Sequence, residues 1–576
     1  MAPRRPARYQ FKSFMAKNPK TKPKTTASKS STSGPAKESD WQPWVLAGIG
    51  FILFCTGLSN ELLGIDDHMA TIDNPAVKNF DLTVFNLGMY APVTWLGYGI
   101  AHTLGGANPF WYHLMSALVH AANVWLVYRL MQRLGIRNTV AFAVSLLFAV
   151  HPIQVESVAW IAGFSTPLFS LFCLLSLLFY LKHAEKESGS AQHLALSLGS
   201  FIVACLAKST AVMLPLLLLV LDIYWKKPAL EPRKRWLGYA PYFLIALGFG
   251  LFTFHTRSAA GVEVGAVSNE FSAFERVLLV CYTPLLYWAK LLLPVSLSIY
   301  YSFDKINGQL PVVYYCAPAV LAAVVFAAWY FRRSAPYLRQ GLAFYAANIL
   351  FTLPFYSVGT FELCADHYNY LATIGVFYLL VSGYEAVRQA SPSFSGPVEW
   401  LGRIWVAALI VLSLMQIRLW KDTISIVSNA IDKGFHQNGK MYQARAISYA
   451  NDRKDLAAAM RDFDKALEIN PKLPDSYKYR GGLYGVTKQY DKSVADLNKY
   501  LELEPGDGEQ YYNRGLSLLN LGRVQDAIAD FNKTLEINPE FARAYRARGN
   551  AYIKTGEAAK GEKDLAEWER LKNSGK

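Results

Sequence analysis

The sequence predicts an all-α membrane protein in which a bundle of membrane-spanning helices is followed by a C-terminal solenoid of helical repeats. The first observation is composition, because 52% of the 576 residues are hydrophobic and only 18% are charged. The second is that the apolar residues gather between about residues 41 and 420, in runs as long as the roughly 20 residues with which a helix crosses a bilayer. The third is a regular period of 34 residues in the last part of the chain. Because a bilayer excludes unpaired backbone groups, the apolar runs must be helices.

The N-terminal tail sets the orientation of the chain. Residues 1–40 contain ten basic and two acidic residues and are rich in Pro, Ser and Thr, which predicts a disordered tail in the cytoplasm. Further basic residues lie in short loops between the apolar runs. Membrane topology and attraction to anionic lipid head groups therefore explain the formal net charge of +15, and we expect no nucleic-acid partner.

The second part, residues 41–420, is predicted to be the transmembrane domain. Its apolar runs predict about eleven spanning helices, near residues 43–62, 113–131, 139–158, 166–182, 193–207, 209–225, 236–255, 311–331, 341–358, 367–384 and 401–419. Basic loops at 129–137, 226–235 and 332–339 should be cytoplasmic. An even number of crossings must separate the last two of these loops, so we assign the weakest run between them, 277–294, to a re-entrant or interfacial segment. The C-terminal region then lies on the side opposite the tail.

The C-terminal region, residues 421–576, carries tetratricopeptide repeats. Pro471, Pro505 and Pro539 recur every 34 residues, as do aromatic, glycine and aspartate positions. The period predicts about four helix pairs, at 440–473, 474–507, 508–541 and 542–576. Stacks of this kind form a concave groove that binds proteins, and the expected groove residues are Tyr477, Arg480, Tyr511, Arg514, Tyr545 and Arg548. The alternative is a spacer that only holds a distance.

An acidic pair opens the longest outward loop, residues 63–112. Asp66 and Asp67 follow the first predicted helix directly. Adjacent carboxylates beside a membrane repel each other and lose hydration, which raises the pKa of one of them. Such an acid can accept a proton from an attacking hydroxyl or hold a metal ion that polarises a phosphate. The alternative is that both carboxylates are simply solvated.

Several motifs in a fixed order resemble one known family. They are DDH and IDNPAV within 66–77, WYHLMSALVHAANVWLVYRL at 111–130, LFAVHPIQVESVAWIAGFSTPLFSLFCLLSLLFY at 147–180, and DHYNYLATIG at 366–375, followed by the repeats. Together they resemble the transmembrane and tetratricopeptide-repeat-containing O-mannosyltransferases and their bacterial relatives, members of the GT-C superfamily. The resemblance covers nearly the whole chain except the tail.

The resemblance implies a glycosyltransferase with its active site at the outer face. Its donor is a sugar, such as mannose or another hexose, on a polyprenyl phosphate, and its acceptor is a protein hydroxyl. Asp66 or Asp67 matches the family's acidic motif and would activate the acceptor for displacement of the lipid phosphate with inversion. The implied reaction needs neither a nucleotide nor a redox cofactor. The resemblance leaves open whether a divalent metal takes part.

Donor-binding residues follow from the same resemblance and from ionisable groups at membrane depth. The candidates are Glu156, His151, Asp366, His367, Lys208 and Arg257. Relatives carry Arg where this chain has His367, and His grips a phosphate less well than the bidentate Arg. Lys208, Arg257 and Lys290 are cations that could replace it, although each could equally extend from a helix end towards water. His151 could instead bond a backbone carbonyl freed before Pro152.

Two other classes of function compete with the enzyme. One is a non-enzymatic membrane scaffold whose repeats bind envelope or secretory proteins, for which the acidic pair would be dispensable. The other is a transporter, which the absence of an internal repeat in the membrane half disfavours. For location, a bacterial inner membrane with periplasmic repeats fits the tail and compact outer loops, and an endoplasmic reticulum membrane with luminal repeats is the alternative.

Overall fold

The structure of the protein is a computed structural model. The structure describes residues 41–81, 90–185, 187, 189–225, 232–259, 271–299, 301, 305, 308–354, 364–391, 395–434 and 438–574. The predicted disordered tail, residues 1–40, and most of the basic loop 226–235 lie outside these residues.

Twenty-five α-helices follow one another along the described chain. Those of the membrane region are α1 Gln42–Cys55, α2 Asp67–Ala70, α3 Pro75–Asn79, α4 Pro92–Gly105, α5 Pro109–Arg133, α6 Asn138–Val150, α7 Val155–Ala159, α8 Ser165–Ala184, α9 Ala191–Ala207, α10 Leu214–Tyr224, α11 Pro232–Ala259, α12 Ala273–Leu292, α13 Val312–Tyr330, α14 Pro336–Ile349, α15 Thr373–Ala390 and α16 Ser395–Leu419. Those of the C-terminal region are α17 Thr423–Asp432, α18 Gly439–Ser448, α19 Leu456–Ile469, α20 Pro474–Val486, α21 Tyr490–Leu503, α22 Gly508–Asn520, α23 Val524–Ile537, α24 Ala542–Lys554 and α25 Ala558–Asn573. Short 3-10 turns lie at Pro152–Gln154, Ala162–Phe164, Ser209–Met213, Leu350–Thr352 and Asp366–Asn369.

The all-α class is confirmed, since the described residues contain no β-strand. Five of the described helices are long and apolar enough to cross a membrane: Pro109–Arg133, Ala162–Ala184, Arg233–Ala259, Val312–Tyr330 and Gly396–Leu419. A sixth is added if the bent pair Asn138–Val150 and Pro152–Ala159 forms one span, and three shorter apolar helices lie at Gln42–Cys55, Ala191–Ala207 and Ser209–Tyr224. The chain is therefore a multi-pass membrane protein, while the predicted number of eleven crossings stays a prediction.

Several of these helices present apolar side chains outward. Leu244 on α11, Phe326 on α13 and Leu401 on α16 are 69%, 60% and 66% exposed, and many neighbours on the same helices are similarly exposed. Large contiguous apolar faces are rare on proteins surrounded by water. Lipid chains are the surroundings in which such faces carry no penalty.

Tryptophan and arginine pairs lie near one end of three apolar helices, α5, α13 and α16. Arginine guanidinium groups stack 4.6 to 5.3 Å from the ring centroids in the pairs Arg129–Trp125, Arg332–Trp329 and Arg403–Trp400. Tryptophan and basic residues are enriched where helices meet lipid head groups. The pairs are therefore typical of helix ends at a membrane surface, and the orientation of these helices stays a prediction.

The predicted outer loop 63–112 contains a helix that the pattern of apolar runs did not predict. This helix, α4, is fastened to the bundle because the Thr94 hydroxyl donates to the Ala207 carbonyl (2.8 Å) and the Tyr98 hydroxyl to the Ile161 carbonyl (2.6 Å). The loop is thus part of the folded core rather than a long connection.

The run 277–294 forms the single helix α12. A capping box between Ser272 and Glu275 begins it, and Pro284 lies inside it without interrupting it. The re-entrant form of the prediction is therefore wrong, because the chain does not reverse within the run. The interfacial form stays a prediction.

The chain bends by 52° between α6 and the segment that contains α7. Pro152 cannot continue the helix, so backbone carbonyls before it lose their partners. Ser413 donates to the Val150 carbonyl (2.6 Å), and the Nε2 atom of His120 donates to the Ala149 carbonyl (3.2 Å). His120 therefore packs between helices, and its other ring nitrogen contacts the Tyr370 hydroxyl at 2.8 Å.

The first outer loop contacts the start of the C-terminal region directly. The backbone N–H of Glu61 donates to the Lys421 carbonyl (2.8 Å), and that of Gly64 donates to the Thr423 hydroxyl (2.8 Å). Arg453, before α19, pairs with Asp422 at 2.9 Å. The acidic pair and the repeats therefore lie at the same end of the molecule, as the predicted topology requires.

The C-terminal helices form four antiparallel pairs, α18–α19, α20–α21, α22–α23 and α24–α25, whose starts match the predicted repeats. The first repeat has one extra residue, since Arg445 and Arg480 are 35 residues apart while Arg480 and Arg514 are 34 apart. A π-helical turn at Tyr449–Arg453 accommodates this residue. A π turn takes up one residue without breaking the helix.

A ladder of arginines joins the repeats. In each repeat an arginine of the first helix makes two hydrogen bonds to a buried aspartate of the second, in the pairs Arg445–Asp462, Arg480–Asp496, Arg514–Asp530 and Arg548–Asp564. The Nη1 atom of each arginine also bonds the preceding helix, at Ser428, Asp464, Asn498 and Asn532 respectively. Because Ser428 belongs to α17, the stack begins at α17, before the first predicted repeat.

We predict that breaking one rung of this ladder destabilises the repeats. Arg514→Met leaves the buried Asp530 carboxylate unpaired, so the free energy of unfolding should fall by about 3 kcal/mol. Urea denaturation of the full-length protein in detergent, followed by circular dichroism, measures this change. The matched control is Arg523→Met, whose pair with Asp526 is exposed on both sides and should cost less than about 1 kcal/mol. Equal effects of the two substitutions would refute the structural importance of the ladder.

We also predict that the first outer loop and the repeats share one side of the membrane. Cysteines introduced at the exposed Glu61 and Glu502 should react with a membrane-impermeant thiol reagent from the same side, because the loop bonds directly to the start of α17. A cysteine at Arg333, in a predicted cytoplasmic loop, should react only after the membrane is permeabilised. The unsubstituted chain, with its six native cysteines, supplies the background. Labelling of positions 61 and 333 from one side would contradict the topology.

Candidate functional site

The two acidic residues of the first outer loop have different surroundings. Asp67 is fully buried, and its carboxylate accepts the backbone N–H of Leu63 (2.9 Å) and that of Ala162 (2.8 Å). Burial raises the pKa of Asp67 to about 7, and repulsion from Asp66 adds to the rise, while the two backbone hydrogen bonds oppose it. Asp67 therefore fastens the loop to the segment after α7, and both its oxygens are occupied.

Asp66 is the accessible member of the pair. It precedes α2 without capping it, and its side chain is exposed. No described side chain or backbone group donates a hydrogen bond to its carboxylate. The surrounding protein nevertheless displaces enough water to raise its pKa above the ordinary value for an aspartate. An exposed carboxylate with a raised pKa suits a general base.

A second acidic cluster forms around Glu156 of α7. Glu156 is buried, and its Oε1 atom lies 2.5 Å from Nδ1 of His367. Its Oε2 atom accepts the backbone N–H of Asp366 (3.1 Å). The structure thus brings together three of the predicted donor-binding residues, although 210 residues separate Glu156 from Asp366 along the chain.

Asp366 is buried beside Glu156. The Tyr301 hydroxyl donates to its two oxygens at 2.9 and 3.1 Å. Burial and the charge of Glu156 raise the pKa of Asp366 well above its usual range, and the hydrogen bond from Tyr301 and the charges of Lys290 and Lys433 act in the opposite direction. Tyr301 therefore belongs to the site.

One predicted cation lies beside this cluster. The ammonium of Lys208 donates to the Thr166 hydroxyl (2.7 Å) and acts electrostatically on both Glu156 and His367. Arg257, near the end of α11, interacts electrostatically with Tyr368, the residue after His367. A direct role of Arg257 at the cluster stays a prediction.

His151 is not placed to bind a donor. Its Nε2 atom donates to the Leu291 carbonyl (2.9 Å), and its Nδ1 atom accepts the backbone N–H of Ile153 (3.2 Å). Both ring nitrogens are used, so its assignment to the donor site is wrong. His151 joins the bend after α6 to the end of α12, and the carbonyl that it bonds belongs to α12 rather than to the residues before Pro152.

The three predicted groove arginines are also committed within the fold. Arg480, Arg514 and Arg548 form the rungs of the ladder and use three of their five N–H donors there, so their use in binding a partner stays a prediction. Tyr477, Tyr511 and Tyr545 lie half-buried, with these guanidinium groups 5.3 to 5.9 Å from their ring centroids. The sequence held a signal for this arrangement, since each arginine precedes an aspartate by 16 residues.

The segment 155–162 joins the acidic pair to the buried cluster. Glu156 lies near its start, and Ala162, which bonds Asp67, lies at its end. Between them, the Trp160 ring lies 6.2 Å from the His367 ring and 5.8 Å from that of Trp420. No local sequence pattern identified Trp160 or Lys433 as residues of the site, because the residues that they contact lie far away along the chain.

The part of the chain that the structure describes contains no group of three or more His, Cys, Asp or Glu side chains arranged to hold a metal ion. The chemistry available at the site is that of an accessible carboxylate, a buried carboxylate pair, an imidazole and several amines.

Known proteins match this chain in two comparisons. The tetratricopeptide repeat family model matches residues 508–541, the third repeat. The chain is 40% identical over 115 residues to protein O-mannosyl-transferase TMTC2 of Mus musculus, a match that covers 20% of this chain and 14% of that protein. It is 33% identical over 138 residues to Tmtc1 of Drosophila melanogaster, covering 24% and 16%, and 29% identical over 205 residues to TMTC1 of Homo sapiens, covering 31% and 23%.

These matches confirm the resemblance to the transmembrane and tetratricopeptide-repeat-containing O-mannosyltransferases. The chain spans less than a quarter of the length of each of these curated relatives. Among solved structures, MamA 41-end from Desulfovibrio magneticus RS-1 is similar at a TM-score of 0.25 and 18% identity, covering 26% of this chain and 84% of that one. A score this low supports no argument about this chain.

We predict that the two aspartates differ in their effect on stability. Asp67→Asn replaces an acceptor of two backbone hydrogen bonds by a side chain with one acceptor oxygen, which should lower the free energy of unfolding by about 1–3 kcal/mol. Asp66→Asn should change it by less than about 0.5 kcal/mol. Thermal unfolding of the purified protein in detergent tests both. An equal loss in the two variants would show that Asp66 is also a structural residue.

The same carboxyl group predicts a pH dependence of stability. The pKa of Asp67 is about 7 in the folded protein and close to 3.8 in the unfolded chain. Asp67 therefore contributes its full stabilisation of the folded protein when the pH is below the pKa of the unfolded chain. This stabilisation is lost as the pH rises towards about 7. Asp67→Asn should remove this part of the pH profile of the unfolding temperature, whereas the exposed Asp73→Asn should leave it unchanged.

Proposed function

We propose that this protein is a glycosyltransferase that moves a hexose, such as mannose, from a polyprenyl phosphate to a protein hydroxyl on the non-cytoplasmic side of the membrane. The observation that carries the proposal is the exposed Asp66 carboxylate in a loop that is fixed both to the buried cluster and to the start of the repeats. Similarity to protein O-mannosyl-transferases supports the reaction class, and the exposed apolar helices support a donor carried by a lipid.

In the proposed reaction Asp66 acts as the base. Its carboxylate accepts the proton of the acceptor hydroxyl, whose oxygen then attacks the anomeric carbon of the sugar. The bond from that carbon to the phosphate oxygen breaks, the lipid phosphate leaves with the electron pair, and the sugar is transferred with inversion. Asp67 takes no part in this step, because its oxygens are held by the backbone of Leu63 and Ala162. It positions Asp66 instead.

The leaving phosphate needs positive charge beside it. His367 shares a proton with Glu156 through Nδ1, so a neutral imidazole has one ring nitrogen left and gives at most one hydrogen bond. The arginine of related proteins would give two. Lys208 supplies charge near the cluster, which supports the proposal that cations other than residue 367 hold the donor.

The repeats are proposed to bring the acceptor protein to Asp66. The contacts of Glu61 and Gly64 with residues 421–423 fix the acidic loop to the first helix of the stack. The arginine ladder continues from Ser428 through every repeat and so fixes the stack relative to Asp66. An acceptor segment bound along the stack would therefore approach Asp66 from a defined direction. We propose a bacterial inner membrane with periplasmic repeats as the location, and an endoplasmic reticulum membrane with luminal repeats as its alternative.

We predict that Asp66→Asn abolishes transfer. Loss of a positioned general base should lower kcat by about 100- to 10,000-fold, with little change in donor KM. Activity of the unsubstituted protein should fall as the pH drops through the raised pKa of Asp66, because the base must be ionised. Transfer of labelled sugar from a synthetic polyprenyl phosphate to acceptor peptides, followed by mass spectrometry, measures both quantities.

The matched control is Asp73→Asn, an exposed carboxylate in the same loop, which should keep full activity and the same pH profile. Full activity of Asp66→Asn would instead indicate a scaffold whose repeats bind partner proteins.

A further inference from the structure

Two lysines from different parts of the chain meet on one short loop. Lys290, near the end of α12, donates to the backbone carbonyl and the hydroxyl of Ser296, each at 2.6 Å. Lys433, which follows α17, donates to the carbonyl of Leu297 (2.7 Å). Both ammonium groups therefore bond to adjacent residues of one short loop, and the charge of Lys290 acts on Lys433.

The lysines face the buried cluster of the site. Both act on the Asp366 carboxylate, which also accepts from Tyr301. The Tyr301 hydroxyl in turn accepts the backbone N–H of Ser298 (3.2 Å), and the Lys290 ammonium lies 5.1 Å from the Tyr301 ring centroid. The loop 295–299 therefore holds two cations against one edge of the Asp366 and Glu156 cluster.

The two amines have hydrogen-bonding capacity to spare. An ammonium group carries three N–H donors. The contacts with Ser296 use two donors of Lys290, and the contact with Leu297 uses one donor of Lys433. Adjacent like charges repel, and a bound anion removes this repulsion while using the remaining donors.

We propose that Lys290 and Lys433 together bind the phosphate of the lipid donor, so that a residue beyond the last predicted span completes the donor site. This inference rests on the proposed function for the identity of the donor. Its consequence is that the C-terminal region is needed for donor binding and not only for acceptor recruitment. Lys433 lies next to α17, the first helix of the repeat stack, and Asn429 of that helix reaches the same Leu297 carbonyl (3.3 Å).

The test measures binding separately from transfer. The full-length protein is placed in phosphatidylcholine nanodiscs, and a short polyprenyl phosphate is titrated while tryptophan fluorescence is followed. Lys433→Gln and Lys290→Gln should each weaken binding by roughly tenfold or more, because each loses a charge-assisted contact. Lys433→Arg should restore most of the affinity. Lys421→Gln, an exposed lysine before α17, is the matched control and should bind as the unsubstituted protein does.

Competing ligands identify the part of the lipid that is recognised. The corresponding polyprenol without phosphate should bind weakly and equally to all variants. Inorganic phosphate should not displace the lipid at millimolar concentration, since it lacks the chain. Displacement by inorganic phosphate, or unchanged lipid affinity in both Gln variants with the fold intact by thermal unfolding, would overturn the proposal. So would an equal loss in Lys421→Gln.

Transfer assays distinguish failure of this inference from failure of the proposed function. If sugar transfer occurs, Lys433→Gln should raise the donor KM by roughly tenfold while the acceptor KM stays constant. Transfer with an unchanged donor KM overturns the inference and leaves the proposed function standing. Lysine-dependent lipid binding without any transfer by the unsubstituted protein supports the inference for the binding site and refutes the enzyme. Asp66→Asn should bind the lipid phosphate normally in every case.

Discussion

The bend after α6 is the feature on which the arrangement of the site depends. A helix that breaks inside a membrane exposes backbone groups that lipid cannot satisfy, so the protein must supply every partner. His120 and Ser413 satisfy the carbonyls of Ala149 and Val150, and His151 caps the turn that follows. With these partners the chain turns aside, and Glu156 and Trp160 are held in the interior instead of continuing along a straight helix. Asp67 then fixes the far end of the segment through Ala162.

Two fastenings connect this segment to the remainder of the molecule. On one side, the buried Asp67 joins it to the first outer loop and so determines where Asp66 is presented. On the other, Glu156 bonds the backbone of Asp366 and the side chain of His367, which precede α15. Backbone contacts of the first outer loop with residues 421–423 extend the connection into the repeats. The site and the start of the repeat stack are therefore joined by hydrogen bonds through the acidic loop.

Charge is distributed unevenly across the site. The buried carboxyl groups of Glu156 and Asp366 disfavour ionisation together, because both are desolvated and close to each other. Lys208, Lys290 and Lys433 approach this pair from three separate elements and offset its charge. The arrangement differs from a single arginine at position 367, which would supply two parallel donors from one side chain. Because Lys290 lies near the end of α12 and Lys433 follows α17, the positive charge beside this pair depends on the packing of both helices.

The sequence by itself determined the all-α class, the multi-pass membrane region, the four repeats with their boundaries, and the family resemblance. These features follow from hydrophobic run length, charge bias and a fixed period, which are properties of neighbouring residues. The sequence also pointed to Asp66, Asp67, Glu156, Asp366 and His367 as candidates. It could not separate Asp66 from Asp67, because identical adjacent side chains differ only in what surrounds them after folding. It misassigned His151, and it missed Tyr301 and Lys433. Hydrogen bonds between residues far apart in the chain decide these assignments. No local pattern encodes which distant group will be the partner, because only the tertiary structure brings the two groups within hydrogen-bonding distance.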